Sequence, residues 1–303
     1  MNQEFFYVAS EQDQLPLHAL LVTPEAAPRG LVQFCHGMSE HKERYLPFME
    51  YLCSQGYACL IHDHRGHGQS VLSTDDLGYF GENGAQAAVK DLHQLTLLFK
   101  ERFPGLPLSL FGHSMGSLIV RCYLKKYDGD IDALVVSGCV SQNPAAKAGL
   151  QLVKAMEKVR SPHTRSHTVT AMAFGSYRRS VKGAASPNAW ICSDPEVVVA
   201  YDADPLCGFE FTLNGYEALF TLVCETYQTE GWGVSNPSLP IHFVSGVDDP
   251  CLINLESFAK ALQFLRSRGY ANVSSTLLED MRHEVLNEKG KEKVYLDVLR
   301  TLK

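Results

Sequence analysis

A chain of 303 residues is long enough for one α/β domain of about 200–250 residues and an insertion besides. With 27 Lys and Arg against 34 Asp and Glu, the net charge is −7, and no basic run exceeds a few residues, so nucleic acid is not an expected partner. Nine cysteines lie scattered without a C-x-x-C pair, the start Met1-Asn2-Gln3-Glu4 carries no signal-peptide pattern, and no stretch approaches eighteen uninterrupted apolar residues. Together these predict reduced thiols, a cytoplasmic location and no transmembrane helix.

Strand and helix patterns alternate along the chain. Residues 16–22 and 30–34 have strand character. Residues 44–55 read as a helix with Leu46, Met49, Tyr51 and Leu52 apolar, stopped by Gly56. Residues 57–61 are continuously apolar, as a strand buried on both faces requires. A helix over 85–102 ends before Pro104, and strands follow at 106–111 and 133–137 with a helix over 117–126 between them. This order predicts a mostly parallel sheet with right-handed crossovers and helices on both faces.

The alternation breaks near Gln142-Asn143-Pro144 and resumes with a strand at 240–245, a helix at 254–268 closed by Gly269, a strand at 273–278 and a helix at 288–299. Between these, residues 149–159 are amphipathic, and Tyr216, Leu219, Phe220, Val223 and Tyr227 follow helical spacing. Residues 160–168, rich in Ser, Pro, His and Arg, read as an exposed loop. The division expected is therefore a core of residues 1–142 and 236–303, with residues 143–235 as a helical cap inserted after the sixth strand.

The stretch that carries chemistry is Gly112-His113-Ser114-Met115-Gly116, a G-x-S-x-G pattern between a strand and a helix. A serine on so sharp a turn has its hydroxyl in the open, and glycines flank it where side chains would collide with strand and helix. A serine hydroxyl is a poor nucleophile until a base takes its proton, and the base needs a third group to hold one tautomer. With this elbow the partners follow in the order acid, then histidine, each just past a strand's C-terminal end.

The acid falls in Gly246-Val247-Asp248-Asp249-Pro250, where the G-x-x-D pattern favours Asp249 over its neighbour Asp248. His283 is the only histidine downstream of Asp249 and follows the strand at 273–278. His242 lies inside a buried strand, where packing or a backbone bond is expected instead. Two backbone N–H groups complete the set as an oxyanion hole: Met115, which follows the nucleophile, and Met38, in the loop after the strand at 30–34.

These pieces, with His36-Gly37-Met38-Ser39-Glu40-His41, Arg44-Tyr45 and Asp63-His64-Arg65-Gly66-His67-Gly68-Gln69-Ser70, resemble the α/β-hydrolase superfamily. The branch is that of monoacylglycerol lipases, lysophospholipases and the serine aminopeptidase group. The cap segments Ala173-Phe174-Gly175-Ser176-Tyr177 and Asp204-Pro205-Leu206-Cys207-Gly208-Phe209 are similar to bacterial members called lysophospholipases. One departure is Ser39, where monoacylglycerol lipases often carry glycine.

The resemblance implies an α/β-hydrolase fold and a cofactor-free, metal-free serine esterase acting on single-chain lipid esters. It puts Glu40 and Arg44 near the polar end of the substrate pocket, although both also suit an ion pair bracing the oxyanion loop. It puts Cys251 near the active-site wall, although an inert thiol suits that position as well. The histidines of His62-Asp63-His64 and His67 fall in a structural loop, with Arg65 bonding carbonyls or a carboxylate. One or two of the cap aromatics Phe174, Tyr177, Trp190, Phe209, Phe211 and Phe220 are expected to face substrate. Two rival readings remain: a peptidase gripping an α-ammonium with Glu196, Asp202, Asp204 or Glu210, and a non-catalytic binding protein on the same scaffold.

Overall fold

The computed structural model describes residues 1–303. In chain order the elements are β1 (Asn2–Ala9), β2 (Pro16–Thr23), β3 (Gly30–Cys35), α1 (Leu46–Ser54), β4 (Tyr57–His62), α2 (Gly84–Arg102), β5 (Leu108–His113), α3 (Met115–Tyr127), β6 (Ala133–Ser137), α4 (Ala145–Glu157), α5 (His167–Arg178), α6 (Pro195–Ala203), α7 (Leu213–Thr226), β7 (Ile241–Gly246), α8 (Leu255–Arg268), β8 (Val273–Leu278) and α9 (Glu292–Thr301). The eight strands form one sheet in the order β1-β2-β4-β3-β5-β6-β7-β8. From β4 to β8 every neighbouring pair is parallel, while β2 runs antiparallel to β4 and β1 antiparallel to β2. This is an α/β-hydrolase fold.

Strand alternation divides the core between the two faces of the sheet. Leu31 and Cys35 of β3, Leu108 and Leu110 of β5 and Leu134 and Val136 of β6 point to the face covered by α2, α3 and α8. Val32, Phe34, Phe111 and Val135 point to the other face, under Phe48, Met49 and Leu52 of α1 and Val294 and Val298 of α9. Because β3, β5, β7 and β8 are parallel, the loops after their C-terminal ends emerge on one edge. Residues 36–41, Ser114, Asp249 and His283 all belong to those turns.

Helices α4 to α7 lie between β6 and β7. α4 packs on α7, and α7 packs on α2 and α3. Val153, Val169, Leu213 and Tyr216 from this insertion join the same apolar cluster as Leu95 and Leu118. Only a small group around Ile191, Val198 and Tyr201 is separate.

Three differences from the sequence reading have local causes. β1 is an edge strand with most residues exposed, so it carries no buried-face signal. α5 begins at His167, inside what read as a loop, because Ser166 caps it through the Val169 N–H. α6 has no counterpart in the sequence reading: it lacks an apolar stripe, and only its Asp194 cap and Pro195 at the first turn mark it. His242 corrects the expectation of packing or a backbone bond: Nε2 meets Asp297 at 2.8 Å and Nδ1 meets Ser274 at 2.9 Å.

Candidate active site

Ser114 joins β5 to α3 with φ +55° and ψ −117°. Such a backbone is strained in a non-glycine residue and persists only where neighbours over-determine it. Here the Ser114 N–H donates to Ser137 O at 3.0 Å, and Ser114 O accepts from the Ser117 N–H at 2.9 Å. The tight turn explains its glycines. A Cβ on Gly116 would lie 2.0 Å from Cys35 O, and one on Gly112 would lie 2.6 Å from Gly116 O. The start of α3 is thereby pressed against the end of β3, and a Cβ on Gly37 would stand 3.1 Å from the Ser114 Cβ.

Two amides border this spot. The Met38 N–H has no hydrogen-bond acceptor in the protein. Met115 is the first residue of α3, where N–H groups lack intrahelical partners.

Asp249 is buried, and its Oδ1 accepts the Cys251 N–H at 2.8 Å while Oδ2 lies 2.9 Å from His283 Nδ1. Asp248 is exposed. His283 is buried between the rings of Trp190, centroid distance 5.0 Å, and His113, 4.6 Å. With Nδ1–H given to Asp249, Nε2 carries the lone pair, and Nε2 is buried with no hydrogen-bond partner. The Ser114–His283 hydrogen bond is thus open here, as is common before substrate arrives. Burial alone would pull the His283 pKa down. Asp249 first, then Glu284 and Glu40, outweigh that and hold it above its ordinary value.

A buried ionic cluster braces both loops. Glu40 accepts the Gly37 N–H at 2.5 Å and the Tyr45 hydroxyl at 2.9 Å. Arg44 donates to Glu40 at 2.6 Å and to both oxygens of Glu284 at 2.8 and 2.6 Å. Burial raises the Glu40 pKa. Burial acts the same way on Glu284, but the Arg44 fork overcomes it and holds that carboxyl below its usual range. Arg44 lines neither chamber described below; its guanidinium forms the ion pair that was the other expectation for it, with two carboxylates. Glu284 was not singled out from the sequence; its position next to His283 was the one available hint. The loop after β8 is also fastened to residues 189–193: Arg282 donates to Ala189 O and Cys192 O, and Glu288 accepts from Ser193 and Arg282 N–H groups.

Two chambers meet at Ser114. The larger, about 470 Å³, is lined by 19 residues of which 16 are hydrophobic, among them Met38, Met115, Leu152, Leu219, Val223 and Cys251. Phe174, Tyr177, Trp190 and Phe220 also line it, more aromatics than the one or two expected. Phe211 is instead fully buried in the core. The smaller chamber, about 70 Å³, is polar and is lined by Glu40, Thr170, Arg178, Asn188, Glu210 and His283, among others. Burial and the nearby Asp249 push the Cys251 thiol up, which keeps it protonated.

Of the acids considered for an ammonium pocket, Glu196 is exposed, Asp202 accepts from Asn188, and Asp204 pairs with His41. Only Glu210 reaches the polar chamber, where Thr170 and His167 occupy its oxygens. The four do not converge. His41, Asp204 and Cys207 bring three ligand-type atoms within 4.8 Å of one another. Both His41 nitrogens already meet carboxylates, Glu43 at 2.6 Å and Asp204 at 2.9 Å, so this group is a hydrogen-bonded joint. The histidines at 36, 62, 64 and 67 are buried, and burial lowers their pKa values, to about 3 for His62 and about 4 for His67. Arg65 donates to Asp91 at 2.8 Å and to Asp13 and Phe80 O.

Residues 26–290 match the family described as serine aminopeptidase, S33. The chain is 32% identical to a monoacylglycerol lipase of Mycolicibacterium smegmatis over 187 residues, 61% of this chain and 58% of that one. It is 30% identical to a monoglyceride lipase of Homo sapiens over 136 residues, 44% of this chain and 42% of that one. The chain thus spans less than two thirds of the length of either lipase. A thermostable carboxyl esterase from Bacillus coagulans superposes with a TM-score of 0.90 at 25% identity over 99% of both chains. No helix is long and apolar enough to cross a membrane. With most of its length inside the family match and the strands, turns and glycines of the elbow in place, the chain belongs to the serine aminopeptidase S33 family of α/β-hydrolases.

Proposed function

We propose that the protein is a serine hydrolase of carboxylic esters, acting on single-chain lipid esters such as monoacylglycerols or lysophospholipids. The observation that carries this is the junction at Ser114 between one apolar chamber and one polar chamber. A volume of about 470 Å³ lies within the range of small-molecule sites. One apolar chamber suits one acyl tail, and the polar chamber suits the alcohol side of the ester. Residues 143–235 act as the cap that walls both.

In the reaction, Ser114 Oγ attacks the ester carbonyl as His283 Nε2 takes its proton. Asp249 holds the Nδ1–H and stabilises the imidazolium. The Met38 and Met115 N–H groups receive the oxyanion. Collapse of the tetrahedral species breaks the ester C–O bond, and the His283 Nε2 proton goes to the leaving alcohol. Water, deprotonated by His283, then attacks the acyl-enzyme and releases the fatty acid and Ser114. No cofactor or metal takes part in this scheme. The relatives named for monoacylglycerol lipase activity favour the same substrate class. The peptidase reading is set aside because the acids it needs do not converge.

The test is an ester panel varying acyl length and head group, run on the protein and on Ser114→Ala. Each further methylene buried should contribute about 0.8 kcal/mol until the chamber is full. kcat/KM should therefore rise with acyl length and then level or fall, and Ser114→Ala should lose both turnover and labelling by a fluorophosphonate. A flat chain-length profile, or faster cleavage of aminoacyl naphthylamides than of acyl esters, refutes the lipid-ester assignment.

A further inference from the structure

The loop that carries Met38 is gripped from the opposite side by the segment running from the end of α6 to Phe209. Ser39, the next residue, is buried and adopts φ +52°. Its carbonyl accepts two bonds from that segment, the Tyr201 hydroxyl at 2.9 Å and the Gly208 N–H at 2.9 Å. Its hydroxyl donates to Phe209 O at 2.7 Å. Its N–H donates to His67 Nε2 at 3.1 Å, and the His67 ring packs edge-on against Phe209 at 5.3 Å. Two residues on, His41 meets Asp204 of the same segment at 2.9 Å.

Every polar group of Ser39 is therefore engaged, three of its four bonds come from one strap, and the strap is a contiguous piece of the insertion. A glycine would adopt the positive φ without strain but would leave Phe209 O without its donor. A serine in this conformation persists because the surroundings over-determine it. Met38, immediately before it, offers an N–H that no protein atom uses, next to Ser114.

We propose that Ser39 is a positioning residue: through it, docking of the strap at residues 201–209 sets the Met38 N–H for the oxyanion, so that the cap governs the chemical step as well as substrate choice. The proposal rests on the assignment of Met38 to the oxyanion hole. Ser39 and Tyr201 also border the polar chamber, but the Ser39 polar groups are bonded to His67 and the strap, so its proposed effect is on the setting of the Met38 N–H. The hydrogen-bond geometry of an oxyanion donor matters most in the transition state, so a loosened strap lowers kcat and leaves KM in place.

The experiment compares the protein with Ser39→Ala, Tyr201→Phe and the double variant on one acyl ester, alongside Ser114→Ala. Each single change should lower kcat about tenfold, short of the roughly 10²–10³-fold for loss of a whole oxyanion donor. KM should stay within about twofold, and the double variant should fall short of the product of the singles because both act on one clamp. The inhibition constant of an alkyl trifluoromethyl ketone, which forms a tetrahedral oxyanion on the serine, should rise in step with the fall in kcat/KM. Unchanged kcat in both variants overturns the proposal. So does a raised KM with kcat kept, which would make the strap a wall of the pocket only, and so does a lowered melting temperature with normal kinetics. If Ser39→Ala fails to fold, Tyr201→Phe decides, since it keeps the backbone and removes one hydroxyl. An active Ser114→Ala would refute the acyl-enzyme mechanism on Ser114; an inactive Ser114→Ala with fully active strap variants refutes only the clamp.

Discussion

Replacing Arg44 with Gln tests the electrostatic brace beneath the site. The arginine side chain is 13% exposed, and its partners Glu40 and Glu284 are 4% and 7% exposed, so solvent screens the cluster weakly. Removing one partner of a buried ion pair typically costs about 3–5 kcal/mol, because the charge left behind is unpaired. Two carboxylates are left here, and they share a small volume. At about 2.1 cal/mol/K of unfolding entropy per residue, a chain of 303 residues loses about 1.6 °C for each kcal/mol. The melting temperature of Arg44→Gln at pH 7 should therefore fall by about 5–8 °C.

The pH dependence carries the sharper check. In the parent, Arg44 holds the Glu284 carboxyl below its usual range. That contribution is complete above the unfolded-state carboxylate pKa of about 4.3 and disappears as pH falls through the lower folded value. In Arg44→Gln, burial drives Glu40 and Glu284 upward, so they take up protons as pH drops below neutrality and the variant recovers. The deficit measured by thermal unfolding should be largest near pH 7–8 and should shrink toward pH 5. A deficit under 1 °C, or one that is the same at both ends of that range, refutes the reasoning that a buried charge pair braces these loops.

Asp249→Asn should lower kcat by a factor approaching the roughly 10⁴ found for the equivalent change in the serine-protease triad, whereas Asp248→Asn, an exposed change, should leave it near the parent value; steady-state ester hydrolysis of the two ranks them. The pH–rate profile of kcat/KM should rise as His283 loses its proton, with a midpoint above the ordinary histidine value of about 6.5, because Asp249 and the two nearby glutamates favour the charged ring. A midpoint below that value contradicts the arrangement. Gly116→Ala should fail to accumulate as folded protein, since its Cβ would lie 2.0 Å from Cys35 O and no flexible side chain is there to yield; recovery of a soluble, normally melting Gly116→Ala counts against the turn as described.

The parts of the fold that were legible are those whose signals are local. β5, the turn and α3 announce themselves by an apolar run, two glycines and a helical pattern within twenty residues, and β8 by six residues between turns. Asp249 and His283, which the structure joins at 2.9 Å, were read as candidates from their places after strands. What escaped was either exposed or distant. β1 is an edge strand whose aromatics Phe5 and Tyr7 stack on the His18 ring, a contact with no periodic signature. α5 contains Gly175 and a β-branched start, so helical propensity was weak, and its cap is one serine. The brace joining Arg44 to Glu284 links residues 240 positions apart. No spacing rule reaches that far; only the parallel run β3-β5-β6-β7-β8, with its loops on one edge, brings the two together. Separations of 162 and 170 positions likewise hid the strap on Ser39, although its departure from glycine marked the position.

Helix α7 has a double allegiance that bears on how such a protein can diverge. Leu219, Phe220 and Val223 line the apolar chamber, while Leu222 and Thr226, one turn away, lie against Cys122 of α3. The insertion shares its apolar cluster with the sheet layer instead of having a large one of its own. It is therefore a poor module: exchanging it whole between relatives would tear open the packing of α2 and α3 along with the pocket. Drift in substrate range is confined to one stripe of α7, three or four residues apart along the helix, while the stripe behind it is held still by the demands of folding. Lineages that change their substrate range should accumulate substitutions at 219, 220 and 223 and keep 222 and 226.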